Sequence, residues 1–309
     1  MYYFFIWALL TTSAHASGSL YVTISLFWEG SDIKQHNLDA LQKLRSNFPQ
    51  LKINHFISPV YFLDPEQRNS NLNKFRSALK EQDQVGLLLS PQKPITDKAG
   101  ILLRNAPSFW GQTEKFCDSE CGASVPLTVY SSSDIEKIFD ASIGATSNLG
   151  ISFSKSFATS GWQYSKAIAE VAAKKGFKYD WSAIPPSRIV RRLHNFPIYN
   201  WTKDTWSQFE KSNQPRRIKT TLSPMIVIPQ SGGVVDYNTS QELLSFYKET
   251  LAQVQTSGTI YNLAVHQETC ATFLPRIIDA MNKIFSDSKE KGTSLTFDWS
   301  SYRNTINPN

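Results

Sequence analysis

The chain has 309 residues, 41% hydrophobic and 19% charged, a balance that excludes intrinsic disorder and suits a folded globular protein. Its 32 Lys and Arg against 26 Asp and Glu give a net charge of +6. The basic residues fall in two short clusters, Arg188, Arg191 and Arg192, then Arg216, Arg217 and Lys219, too scattered for a nucleic-acid stripe, so no nucleic-acid partner is expected.

The N-terminus opens with an apolar run, Tyr2 to Leu10, followed by Ala14-His15-Ala16, a small-x-small cleavage signal. That run is far shorter than the ~20 residues that span a bilayer. The expectation is a signal peptide over residues 1–16, and an exported (periplasmic or secreted), soluble mature protein over 17–309 as a single domain. Strand-like Leu20 to Phe27 comes next, then helical spacing from Asn37 to Asn47, a strand over Leu51 to Ile57, a helix over Leu72 to Lys80 and an apolar strand over Val85 to Leu89. A polar section from Ser90 to Ser131 is too long for an ordinary connection. Inside it, Cys117 and Cys121 lie four apart, and export makes a short disulfide-closed loop the expectation there.

Alternation then resumes. A helix is expected over Asp134 to Ser142 with Ser132 or Ser133 as cap, a short strand over Gly150 to Phe153, and an amphipathic helix over Gln163 to Lys175 stopped by Gly176. Phe177 to Trp181 reads as a strand, Ser182 to Thr221 as irregular, and Pro224 to Ile228 as a strand. A helix over Ser240 to Gln255, a strand over Thr259 to Val265, a helix over Thr269 to Phe285 and a strand over Ser294 to Phe297 complete the series. Cys270 reads as a buried free thiol. Repeated strand-then-helix units predict an α/β fold, a distorted (β/α)7-8 barrel, with its site at the C-terminal ends of the strands. On that reading Trp28, Glu29, Trp162, His266 and Glu268 gather on one rim.

The residues at those strand ends resemble the polysaccharide deacetylase superfamily, metal-dependent carbohydrate esterases with a distorted β/α barrel. The resemblance rests on VTISLFWEG (Val22 to Gly30), QVGLLLSPQKP (Gln84 to Pro94), SFATSGWQYSKAIAEVAAKKGFKYDWSAIPP (Ser156 to Pro186) and IYNLAVHQET (Ile260 to Thr269), in the family's order. It implies that an aspartate ending the first strand is matched by Phe27, that two metal-binding histidines are matched by Leu88 and Ser90, and that an orienting arginine is matched by Ala158. Apolar side chains supply no lone pair and a serine hydroxyl is a poor zinc ligand, so neither a metal nor another cofactor is expected.

What survives of the family's pattern is Trp28, Glu29, Gly161, Trp162 and His266. His266 matches the family's late histidine, a general acid there, and reads equally as a structural residue. Glu29 reads as a general base, an acceptor for a sugar hydroxyl or an ion-pair partner. Trp28 and Trp162 read as platforms for a pyranose, with Gly161, or as plugs of the barrel mouth. His36, His55 and His194 sit in no metal-like spacing. No G-x-S-x-G elbow, H-E-x-x-H, phosphate loop or dinucleotide fingerprint occurs. The leading expectation is an exported deacetylase-like pseudoenzyme that binds an envelope or extracellular glycan, such as peptidoglycan. The alternatives are an active deacetylase or glycoside hydrolase rebuilt around Glu29 and Glu268, and a scaffold for a protein partner.

Overall fold

The computed structural model describes residues 19–111, 122–253, 258–298 and 302–303. The expected signal peptide and the expected Cys117–Cys121 loop lie outside the described residues. Among the described residues nine strands form one sheet: β1 (Leu20–Trp28), β2 (Ile53–Ile57), β3 (Gln84–Leu89), β4 (Ser156–Thr159), β5 (Tyr179–Asp180), β6 (Arg216–Ile218), β7 (Met225–Val227), β8 (Thr259–His266) and β9 (Leu295–Thr296). Their order is β6-β7-β5-β4-β3-β2-β1-β8, with β9 also on β1. Every pairing is parallel except that of β6 with β7. Eight α-helices of the described residues accompany them: α1 (Gln35–Asn47), α2 (Arg68–Ala78), α3 (Lys93–Ala99), α4 (Ser132–Thr146), α5 (Lys166–Lys174), α6 (Pro197–Trp206), α7 (Ser240–Leu251) and α8 (Cys270–Lys291). Among the described residues no helix is long and apolar enough to cross a membrane.

The barrel closes irregularly, which is its distortion. β7 is followed by Pro229, which has no N–H to continue a ladder. The chain after it nevertheless reaches β8: Gly232 N–H donates to Asn262 O at 2.8 Å and Val235 N–H to Ala264 O at 2.9 Å. Lower down, the Gln214 side chain stands in for a strand, accepting from Ile260 N–H at 2.8 Å and donating to Ile260 O at 3.3 Å.

Side-chain alternation divides the core. On β1, Leu20, Val22, Ile24, Leu26 and Trp28 face out against Leu38, Leu41 and Leu44 of α1 and Ile277, Met281 and Ile284 of α8. Phe27 belongs instead to the interior cluster, with Phe56 of β2, Leu88 of β3, Ala158 of β4 and Ala264 of β8. A polar layer accompanies it, in which Asn54 Nδ2 donates to Thr23 Oγ1 at 2.7 Å and Ser25 Oγ to Asn262 Oδ1 at 2.9 Å.

Several boundaries differ from the sequence reading. The fourth strand is Ser156–Thr159 rather than Gly150 to Phe153. Phe157 and Ala158 are buried on opposite faces, whereas Ile151 and Phe153 are only partly covered, so burial selects the later segment. α4 starts two residues earlier than expected, with Ser131 rather than Ser132 or Ser133 accepting from Asp134 N–H. α5 starts later than Gln163, capped by Ser165. The polar section from Ser90 to Ser131 contains α3, and the stretch read as irregular contains α6 and β6.

Candidate functional site

Glu29 follows β1, and the turn that presents it is clamped by Glu268. Glu268 Oε1 accepts from Glu29 N–H at 2.9 Å, from Gly30 N–H at 2.8 Å and from the Tyr61 hydroxyl. Gly30 fits closely at this point, since a Cβ there would stand 3.2 Å from both Glu268 Cγ and the Tyr61 hydroxyl. The Glu268 backbone is fixed in turn by Asn37, whose Nδ2 donates to Glu268 O at 2.9 Å and whose Oδ1 accepts from Ala271 N–H at 3.0 Å.

His266 ends β8 and lies beside Phe27 in the ladder. Its Nδ1 donates to Asp236 Oδ2 at 2.9 Å, and Thr269 Oγ1 donates to the same oxygen at 2.6 Å. Its Nε2 is 3.8 Å from Glu29 Oε2, and Ser160 Oγ donates to Glu29 Oε1 at 3.3 Å. Burial works against the His266 charge, but the Asp236 carboxylate, with help from Glu29 and Glu268, outweighs it and raises the imidazole to about 10. His266 is therefore an imidazolium at neutral pH, a donor from both nitrogens. Burial would raise Asp236, yet the His266 charge and hydrogen bond hold it below the usual carboxylate range. Burial raises Glu29, opposed by His266.

β4 leads into Gly161 and Trp162, consecutive residues in the left-handed region with φ of 66° and 57°. Glycine is forced at the first, since a Cβ would fall 2.1 Å from the Phe109 ring. Trp162, a rare non-glycine in this region, is held by its Nε1–H to Gln230 Oε1 at 3.1 Å and by Trp206 Nε1–H donating to its carbonyl at 2.8 Å. A hollow of about 220 Å³ opens between these groups, walled by Phe27, Phe109, Trp110, Trp162 and Tyr237, with Glu29 and His266 at one side. A second of about 630 Å³ adjoins it across Glu29, Tyr237 and His266, and reaches Lys34, Asn37, Gln92 and Glu268.

No known family profile matches the chain, and no curated protein matches it. Solved structures do. The Puue allantoinase superposes with a TM-score of 0.55 at 9% identity, over 95% of this chain and 93% of that one. A provisionally assigned polysaccharide deacetylase from Mycobacterium smegmatis gives 0.54 at 10% identity, over 94% and 91%. Another from Pseudomonas aeruginosa PAO1 gives 0.54 at 10%, over 95% and 94%. The chain shares its fold with these deacetylase and allantoinase structures.

The positions that the resemblance assigns to metal chemistry carry other side chains. Phe27 stacks on Phe56 with ring centroids 5.4 Å apart. Leu88 and Ala158 are fully buried and paired in the β3–β4 ladder. Ser90 is buried, and its Oγ has no hydrogen-bond partner among the described residues. One hydroxyl among apolar groups is not a donor set for a divalent ion. Among the described residues no three His, Cys, Asp or Glu side chains are arranged to hold one.

One expectation is corrected. Trp28 is not on the rim: it is 0% exposed and faces the helices, edge-on to Phe75 at 5.1 Å, because the pleat sends it opposite to Phe27. Its Nε1–H donates to His55 Nδ1 at 3.2 Å, which places the His55 proton on Nε2, facing Asp83 Oδ2 at 3.3 Å. Arg45 completes this buried group by an ion pair with Asp83. Glu268 Oε1 accepts from three donors and so holds the Glu29 turn. Sequence reasoning placed Glu29, Gly161, Trp162 and His266 around the cleft and missed Asp236, Ser160, Tyr237, Phe109 and Trp110. Asp236 lies between a Gly-Gly pair and a helix cap in a stretch without periodicity, so only its position beside His266 reveals it.

Proposed function

We propose that the chain is an exported, metal-free glycan-binding protein built on the deacetylase barrel, a pseudoenzyme with respect to metal-dependent deacetylation. Export is supported by the apolar run and Ala14-His15-Ala16 at the N-terminus. Loss of the metal chemistry is supported by Phe27, Leu88 and Ala158 at the positions where the resemblance requires ligands and an arginine.

The observation that carries the glycan reading is the pairing of Glu29 and His266. A charged donor and a carboxylate acceptor stand 3.8 Å apart at the side of an aromatic-walled hollow. A hydroxyl, or two neighbouring hydroxyls, accepts from His266 Nε2 and donates to Glu29 at once, while a ring face packs on Trp162 or Trp110. Neutral polyhydroxylated rings match this combination, and purely apolar ligands leave both groups unpaired at a cost.

Isothermal titration with chito-oligosaccharides and peptidoglycan fragments, with and without chelator, tests the reading. Binding indifferent to chelator, with no acetate released, is the expected result. Tight stoichiometric zinc binding with ion-dependent acetate release refutes it. A second reading, a metal-free hydrolase, is favoured by the hydrogen-bonded run Ser160–Glu29 and its contact with His266 and Asp236. Chelator-resistant turnover abolished in Glu29→Gln establishes it. A protein-partner scaffold has less support, because among the described residues only Leu102, Trp110 and Leu222 are exposed large hydrophobics.

A further inference from the structure

The two adjoining hollows differ in what they can hold, and the difference, which rests on the glycan-binding reading, names a class of glycan. The larger is bordered by charged and amide side chains, Asp32, Lys34, Asn37, Gln92 and Glu268 among them. The smaller is walled by aromatic rings, those of Phe27, Phe109, Trp110, Trp162 and Tyr237. Glu29, Tyr237 and His266 border both, so the two hollows meet at the Glu29–His266 pair.

Polar side chains of the smaller wall are spent on the protein. Thr159 Oγ1 donates to Gln163 O at 2.6 Å, and Ser160 Oγ to Glu29 Oε1 at 3.3 Å. Trp162 Nε1–H donates to Gln230 Oε1 at 3.1 Å, and Gln230 Nε2 in turn to Trp181 O at 3.5 Å. A fully hydroxylated ring placed there would give up water against aromatic faces and groups already bonded, at a cost. An aromatic ring carries no such hydroxyls.

Size points the same way. The smaller hollow, at about 220 Å³, is far larger than a two-carbon acyl group fills, and a cavity of about 150 Å³ already takes benzene. Gly161, Ala123 and Ala264 leave this space, since each brings little or no side chain to the wall. The rings around it are braced before any ligand enters: Trp162 is edge-on to Tyr237 at 6.2 Å, and Trp110 is edge-on to Phe196 at 5.6 Å.

We infer that the smaller hollow takes an aromatic substituent of the glycan, an aryl or arylacyl group, with its polar linkage at Glu29 and His266 and its sugar in the larger hollow. Offset and edge-on contacts between rings then add to the burial of apolar surface.

The test is titration of the full chain with chitotetraose carrying on average one O-benzoyl ester and with chitotetraose carrying on average one O-acetyl ester. The benzoylated oligomer is expected to bind about tenfold tighter. Ala264→Leu, which adds bulk to the smaller hollow alone, is expected to remove most of that preference. Trp110→Ala is expected to remove part of it, and Trp110 is 40% exposed, so this variant folds. Equal binding of the two oligomers, or a folded Ala264→Leu or Trp110→Ala variant that keeps the full preference, overturns the inference and leaves the glycan reading standing. No binding of either oligomer or of unsubstituted chito-oligosaccharides overturns the glycan reading itself, and the inference with it.

Discussion

Asp236→Asn isolates the electrostatics of the cleft. The carboxylate and the His266 imidazolium are 2.9 Å apart, and both side chains are largely buried, at 8% and 19% exposure. At an effective dielectric constant of about 20, two unit charges at that separation attract by about 6 kcal/mol. One pKa unit is worth about 1.4 kcal/mol, so removal of the charge lowers His266 by about four units. His266 should then move from about 10 to near or below 6.5, its ordinary value, and be neutral at pH 7.5. The sign for stability follows from the raised native value. His266 contributes fully below pH 6.5, and the contribution disappears as pH rises through about 10. The variant lacks it, so the two proteins should differ in urea midpoint at pH 6.5 and converge above pH 10. Imidazole 15N shifts followed against pH read the titration directly. Glycan affinity at pH 7.5 should fall about tenfold, as a charge-assisted donor becomes a neutral one. An Asp236→Asn protein whose His266 still titrates near 10 would refute the reasoning.

The buried group Arg45, His55, Asp83 and Trp28 should matter to stability alone. Asp83→Asn is expected to cost about 3–5 kcal/mol by chemical denaturation, with the cleft still able to bind, because one partner of a buried pair is left behind. Burial holds His55 below its ordinary value, so its contribution is present above pH 6.5 and lost as pH falls below it; His55→Gln should flatten that part of the stability profile. Gly161→Ala is expected to cost at least about 1–3 kcal/mol from backbone strain and to weaken glycan binding by displacing Phe109. Gly144→Ala, on α4 with nothing within 4 Å of the added Cβ, should instead stabilise by about 0.5–1 kcal/mol, seen as a raised Tm. Phe27→Asp should lose about 3–5 kcal/mol and still show no tight zinc binding in calorimetry, because a single carboxylate among Leu88, Ala158 and Ser90 completes no coordination shell.

Much of this was legible from residue order. Hydrophobic periodicity located most strands and helices and their alternation predicted the parallel barrel, because each buried face imposes a period of two or 3.6 on its own segment. Glu29, Gly161, Trp162 and His266 could be assigned to the cleft because strand ends are marked where apolar runs stop. The side of the sheet on which Trp28 falls was not legible from the strand end alone, since adjacent residues there point oppositely and only packing against Phe75 decides which one faces helices. Nor was the fourth strand, where two weak candidates competed and burial of Phe157 and Ala158 chose between them. Asp236, thirty positions from His266, and the clamp of Glu268 on the Glu29 turn are contacts between segments that carry no common sequence signal. They exist because closing the barrel brings β8 beside both β1 and the segment after β7, and that juxtaposition, with the proton it fixes on His266, belongs to the tertiary structure.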